Sequence, residues 1–539
     1  MNIAKNVAQL QRENIDFELE SIDRMYLNFY VPQLTSAPGV AAYFRHYKGH
    51  RFASTKEAVS MTKVFRQRVL AFAQANVIPM IRFQKGMRKD DVMQKRLKKF
   101  KAREGVVFIG IAQEKAWVPR TVRKHFGDGD GTIPWIDYTT ALVNFYYFYC
   151  VDQDFGPFFI KFCSYFPYTG KLCINGHEYL KRQLARRGVE FEALDNGLAS
   201  CADPELARRI ANGLDEKKIE RFFRKWLSKL PHPYPAADRK AGYRYRLSVL
   251  QAEFSLTQVW ERPRHGREFF EQVIRENIDL GRPEQVQLIF TRKLRAKPTV
   301  SDGRCRTRII SEGVIPSLHV YYKNTHLKQY HKTCGRGAAL RTETTINNSY
   351  DFGVGRLLKN LPALRRIGFD ANRRMLEVEK VSHDCRVGAR AFEKLQNPAV
   401  VEGQRASALR FGDGRVQALF GVLLLLCLQV EGFRNKQLRP LLAQMLGLKE
   451  DEVKPGRISY ELRRLRLHGL IKRIEKTHRY RLTAKGLRTV VFYQRTYARI
   501  IRPGLSVIHG GISQLSSPLA NAFHQLQSEL DTHITLQAA

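Results

Sequence analysis

The chain has 539 residues, 44% of them hydrophobic and 11% aromatic, enough for roughly two to four domains with real cores. Its 91 Lys and Arg stand against 51 Asp and Glu, a formal net charge of +40, and so large a surplus of like charge destabilises a compact chain unless a polyanion offsets it. Nucleic acid is the partner this selects, through counterion release from neutralised phosphates, and an anionic membrane surface is its main rival.

Membrane insertion is not expected, because the longest apolar run, 418–428, falls short of the about 20 residues that span a bilayer. The first residues carry charges throughout and lack the apolar stretch of a secretory signal. The eight cysteines are widely spaced, with no Cys-x-x-Cys pair, which points to reduced thiols in a cytoplasmic protein.

Residues 1–135 read as a basic mixed α/β region. A helix is predicted over 57–76, with Val59, Val64, Val69, Leu70 and Phe72 among charged residues. The apolar runs 77–83 and 105–112 predict buried strands. Between them, from Arg82 to Arg103, stand ten Lys/Arg and two acids, with Lys95, Lys98 and Lys99 as candidate contacts to DNA or RNA. The Gly/Asp-rich segment 127–134 is read as a turn at a boundary, since the remaining ligands of a calcium loop are absent.

Residues 136–400 form a strand-rich central region. Aromatic and β-branched residues fill 143–168, with a turn at Gly156-Pro157. A helix over 177–187, a strand over 189–194, helices over 204–214 and 216–230, and strands over 286–290, 319–322 and 340–346 follow. Four carboxylates here suggest chemistry. Asp152 and Asp154 lie in Val-Asp-Gln-Asp-Phe-Gly, Glu178 begins a helix, and Asp195 closes a strand in Leu-Asp-Asn-Gly. That element order resembles RNase H-like nucleases, and the Leu-Asp-Asn-Gly-Leu-Ala-Ser stretch is similar to the second-aspartate segment of integrase-type transposases. The resemblance implies an RNase H-like core in which Asp152, Glu178 and Asp195 hold Mg²⁺, with Asp154 beside them and Glu253 as a late fourth ligand. The competing reading makes Asp-Asn-Gly a turn and Glu178 a charge answering the helix dipole.

Other templates fit less well. Asp90 or Asp91 with Gln113 and Lys115 is distantly similar to restriction-type nucleases. His326, His331, Cys334 and Cys305 match no standard zinc spacing, and no Walker-type phosphate loop occurs. Arg341-Thr-Glu343 predicts a strand with an internal ion pair.

Residues 401–505 give the clearest pattern. Helices are predicted over 414–430, 436–446 and 457–468, followed by two short strands around a polar tip at Thr477-His478. From Arg434 to Arg502 there are nineteen Lys/Arg against five acids. The string YELRRLRLHGLIKRIEKTHRYRLTAKG resembles the winged-helix regulators of the MarR-like sort. That resemblance implies a third helix in the major groove and a wing on adjacent phosphates. Arg457, Arg463, Arg464 and Arg466 are then the candidates for base edges or phosphates, and Lys476, His478 and Arg479 for phosphate at the wing tip. A winged helix used only for protein contacts is the alternative. The tail, 506–539, reads as partly helical and is a candidate homo-oligomer contact.

The expectation is therefore a mixed α/β, multidomain DNA-binding protein of mobile-element or DNA-processing type, acting in recombination, transposition or replication initiation. Its rival is a non-catalytic regulator or structural nucleic-acid binder.

Overall fold

The segment IDFELESIDRMYLNFY alternates apolar and polar residues over its first six positions and forms β1 (Ile15–Tyr30), in the middle of an eleven-stranded sheet. The computed structural model describes residues 13–501 and 518–538 except positions 85, 126–131, 195, 263, 267, 271–305, 313–314, 333–338, 384 and 386. In chain order the other strands are β2 (Met80–Arg82), β3 (Gly105–His125), β4 (Thr132–Asp152), β5 (Gly156–Cys163) and β6 (Gly170–Asn175). They are followed by β7 (Phe191–Leu194), β8 (Gly197–Cys201), β9 (Arg246–Trp260), β10 (Arg306–Glu312), β11 (Ile315–Tyr322), β12 (Thr325–Lys332) and β13 (Ala339–Ile346). The sheet order is β10-β11-β12-β13-β9-β1-β6-β5-β4-β3-β2, while β7 and β8 form a separate hairpin. Every pairing in the large sheet is antiparallel except β2 with β3.

Position 135, the first division expected from composition, lies inside β4, and β4 pairs with β3 along its length. The two sides of that position therefore build one sheet. Of the Gly/Asp-rich turn expected over 127–134, residues 127–131 lie outside the described residues, as does the strand expected over 286–290, while 132–134 open β4, held there by pairing with β3.

The helices include α1 (Thr55–Ala75), α2 (Lys89–Leu97), α3 (Gly176–Ala185), α4 (Pro204–Asn212), α5 (Glu216–Lys229) and α6 (Leu361–His383). Of these, α1, α5 and α6 lay aromatic side chains on one face of the sheet, while α2 lies on the other, its Lys89 donating to Tyr147 at 2.8 Å and Glu114 at 3.0 Å. Phe65 of α1 meets Tyr146 and Phe162 at 5.9 and 6.0 Å between ring centroids, and Phe222 and Trp226 of α5 each meet Phe158 at 4.8 Å. Each such ring contributes on the order of 1.5–3 kcal/mol by burial. Helix α6 packs closely because Gly368 has no side chain: a Cβ there would meet the Phe254 ring at 2.2 Å. Caps set the helix starts, as where Asn175 accepts from the His177 and Glu178 amides to open α3, and Asp215 from Lys218 to open α5.

The C-terminal part has its own core. Helix α7 (Gly414–Leu425) is apolar on most sides and buried, and α8 (Asn435–Leu446) and α9 (Pro455–Leu467) pack around it. A small hairpin, β14 (Ala399–Val401) with β15 (Gln404–Ala406), lies against α9. A second, β16 (Ile471–Arg473) with β17 (Tyr480–Leu482), follows α9, and Phe433 bridges to Tyr480 as a third strand position. Helix α10 (Ala484–Thr496) closes the unit; a Cβ at Gly486 would meet the Leu470 carbonyl oxygen at 1.9 Å, which explains the glycine in Leu-Thr-Ala-Lys-Gly. Val378 of α6 joins this core, and Arg374 Nε donates to the Cys427 carbonyl at 2.8 Å, so α6 connects the sheet to the C-terminal helices. The tail contributes α11 (Pro518–Ala538). Among the described residues, no helix is long and apolar enough to cross a membrane.

Candidate nucleic-acid interface

Helix α9 turns Ile458, Leu462 and Leu465 into the core, which leaves Arg457, Arg463 and Arg466 exposed. Arg464 differs from the expectation. It is buried, donating through Nε to the Ser407 carbonyl at 3.2 Å, through Nη1 to Glu461 at 3.1 Å, and through Nη2 to the Ala408 carbonyl. One residue is about 100° of helix rotation, so Arg463 and Arg464 face different ways. Glu461 is fully buried and also receives Arg415 Nε at 3.3 Å. Arg457 lies 3.7 Å from the same carboxylate and over the Tyr460 ring at 5.6 Å.

At the β16–β17 turn, Lys476 and His478 are exposed, with Lys476 in the left-handed region at φ 56°. Arg473 Nε donates to the Thr477 carbonyl at 2.7 Å and stiffens the turn. Arg479 is instead drawn to the hairpin base, donating to the Gly432 carbonyl at 2.8 Å with Glu431 at 3.5 Å. Glu431 in turn accepts from Tyr322 at 2.5 Å and Lys323 at 3.3 Å, in the β11–β12 turn. Lys472 and Arg473 are exposed cations that the sequence reading left out, although the inward Ile471 beside them carried the signal. Lys95, Lys98 and Lys99 are exposed at the end of α2, on the sheet part of the molecule.

The four carboxylates have separate surroundings. Asp152, at the end of β4, is buried; one oxygen accepts from the Asp154 and Phe155 amides at 2.8 and 3.0 Å, the other from Lys225 and Trp226, both at 2.7 Å. Burial pushes its carboxyl up, but Lys225, the Phe155 amide and Trp226 outweigh that and hold it below the usual range. It could meet a metal only by giving up these donors. Asp154 receives Gln183 at 3.1 Å and pairs with Arg186; Glu178 pairs with Lys181 at 3.0 Å in the first turn of α3. Asp195 lies outside the described residues, and β7, which leads to it, pairs with β8 rather than with β4. Glu253 forms an ion pair with Arg24 at 2.9 Å. Among the described residues, no group of three or more His, Cys, Asp or Glu is placed to hold a metal ion. Asp91, Gln113 and Lys115 are exposed, while Glu114 between the last two points to the other face and binds Lys161 at 2.7 Å.

Asp152→Ala is therefore expected to cost about 1–3 kcal/mol, because the buried Trp226 N–H loses its acceptor. Urea denaturation checks this. The stability that Asp152 contributes is present above the unfolded carboxyl value and lost as pH falls through its depressed folded value, so the variant's deficit shrinks in acid.

The structure gathers a different polar group. Arg341 of β13, fully buried, donates Nη2 to Asp23 at 2.5 Å, Nε to Glu343 at 2.9 Å and Nη1 to Thr257 at 2.7 Å. His177 Nε2 lies 2.6 Å from Asp23, and Ser255 donates to the same carboxylate. The group lies beneath the β7–β8 turn, where a Cβ on Gly197 would meet Arg341 Nη1 at 2.7 Å. It reaches the surface at Glu343, which accepts from Tyr330 at 2.7 Å and Asn196 at 3.1 Å. The internal Arg341–Glu343 ion pair is present; Asp23 and His177 carried no signal, being contributed by distant segments.

No protein-family model, curated protein or solved structure matches the chain.

Proposed function

We propose that residues 401–505 are a winged-helix module that binds duplex DNA, within a protein of the DNA-processing type. The observation that supports it is the sorting of charge on one unit. Arg457, Arg463 and Arg466 of α9 and Lys472, Arg473, Lys476 and His478 of the following hairpin are exposed, while the apolar residues of the same elements fill the core. In this reading α9 enters the major groove, with Arg463 and Arg466 toward base edges, and the hairpin rests on phosphates. Arg464 and Arg479 position these elements and do not touch DNA. The net charge of +40 favours association with any polyanion and gives the module its salt dependence.

A salt titration of duplex binding by fluorescence anisotropy tests this. Each neutralised phosphate adds about −0.9 to the slope of log affinity against log salt, so a slope of about −4 or steeper is expected. A slope near zero, or an unchanged duplex affinity in Arg463→Ala/Arg466→Ala, would overturn it.

A further inference from the structure

The face of the sheet opposite α1, α5 and α6 is built differently from the covered one. Its side chains are polar, cationic and aromatic, and those between α2 and the β7–β8 turn are half-buried rather than sealed. The strand registers place them in transverse rows. Phe159 of β5 stands opposite Cys173 of β6, which stands opposite Tyr26 of β1, and the Tyr26 and Phe159 rings are 6.2 Å apart. In the next row, Arg24 faces Glu253, Glu253 faces Thr345, Thr345 faces His326 and His326 faces Tyr321. That row ends in two parallel rings, His326 and Tyr321, at 4.6 Å and 4°. With strands about 4.8 Å apart, a row from β6 to β11 runs roughly 24 Å.

The acids on this face are already answered by cations. Glu253 has Arg24, Asp23 and Glu343 have Arg341, and Glu114 has Lys161 and Lys89. Burial would raise Glu114, yet Lys161, Tyr147 and Lys89 bring its carboxyl down to about 2, so it stays ionised and keeps its two lysines in place. Two further lysines, Lys171 and Lys328, stand on the same floor, the second with its ammonium 4.3 Å above the Tyr330 ring. The wall on one side is α2, whose Lys89 donates to Tyr147 at 2.8 Å and Glu114 at 3.0 Å, and that wall leads into the exposed Lys95, Lys98 and Lys99.

We infer that this trough binds an unpaired nucleic-acid strand, with bases stacked on Tyr26, Phe159 and the Tyr321–His326 pair and phosphates on Lys171, Lys328 and the α2 lysines. A duplex hides the faces of its bases within its own stack, so a floor of rings with cations between them suits a single strand. The trough is a separate site from α9 and its hairpin, and it stands or fails independently of the duplex-binding module.

The test uses the full chain with a fluorescein-labelled oligothymidylate and a duplex of equal length. Stacking lost from two rings is expected to weaken single-strand binding at least about tenfold in Tyr26→Ala/Phe159→Ala, with duplex binding unchanged. Lys171→Glu/Lys328→Glu should do the same through phosphate repulsion, and it decides the matter if the ring variant fails to fold. Arg463→Ala/Arg466→Ala should spare the single strand. The inference is overturned if either folded trough variant keeps wild-type affinity for oligothymidylate. It is also overturned if duplex binding falls equally, or if heparin, which has charge and no bases, displaces the strand as readily as unlabelled oligothymidylate does.

Discussion

Arg341→Met is expected to destabilise the sheet part of the molecule by about 3–5 kcal/mol, the range for breaking a buried ion pair by removing one partner. The arginine is fully buried, and its guanidinium is the donor that Asp23, Glu343 and Thr257 share. Methionine fills much of the volume but leaves two carboxylates facing each other with less compensation. Denaturation in urea at neutral pH measures the loss, and Arg341→Lys should lie between the two, because a point charge cannot donate in three directions as the planar fork does. Acid titration adds a second readout. Burial pushes Asp23 up, but His177 and Arg341 outweigh it and hold the carboxyl below its ordinary value. A depressed carboxyl contributes stability above the unfolded value of about 3.9 and loses it as pH falls through the folded value. With Arg341 gone the folded value rises, so the acid unfolding midpoint should move to higher pH. A loss under about 1 kcal/mol with an unmoved acid midpoint would show that the network does not hold the sheet together.

How far the sequence reveals such features depends on how local their causes are. Helix α1, strands β4 and β5 and the β16–β17 hairpin follow from periodicity within one segment. Strands β1 and β9 escape it, although both lie mid-sheet. Their pairing shifts register between Ile15 and Phe17, Ile22 and Arg24, and Tyr26 and Leu27, which breaks the period of two, and their polar face leaves no continuous apolar run. Strand β3 runs well past residue 112 because its second half, polar and Pro-containing, is held by pairing with β4 rather than by burial. Asp152 shows the limit for sites. An acid in a strand-rich segment suggests a metal ligand, but Lys225 and Trp226, which engage it, arrive from a helix more than seventy residues later. The Asp23–His177–Arg341 group joins three segments with no spacing in common, so only the fold makes it visible.

Arg463 and Arg464 should separate binding from stability in the C-terminal unit. Adjacent in sequence, they were equal candidates for DNA contact. Arg464→Met is expected to destabilise this unit by about 3–5 kcal/mol, because Glu461, fully buried, then keeps only Arg415 and the more distant Arg457 as counter-charges. The same change frees the Ser407 and Ala408 carbonyls, which loosens the β14–β15 hairpin from α9. Its effect on DNA affinity should therefore track unfolding and vanish at low temperature where the unit remains folded. Arg463→Ala should leave the melting temperature within a degree or two, since its side chain is exposed and its hydrogen bond to Gln404 is long, at 3.5 Å. It should still weaken duplex binding about five- to a hundredfold, the span of one good Arg contact to a base edge. Anisotropy and thermal melting on both variants decide it: if the two arginines trade places, losing affinity at 464 without loss of stability and stability at 463, then α9 presents a different face to DNA from the one argued above.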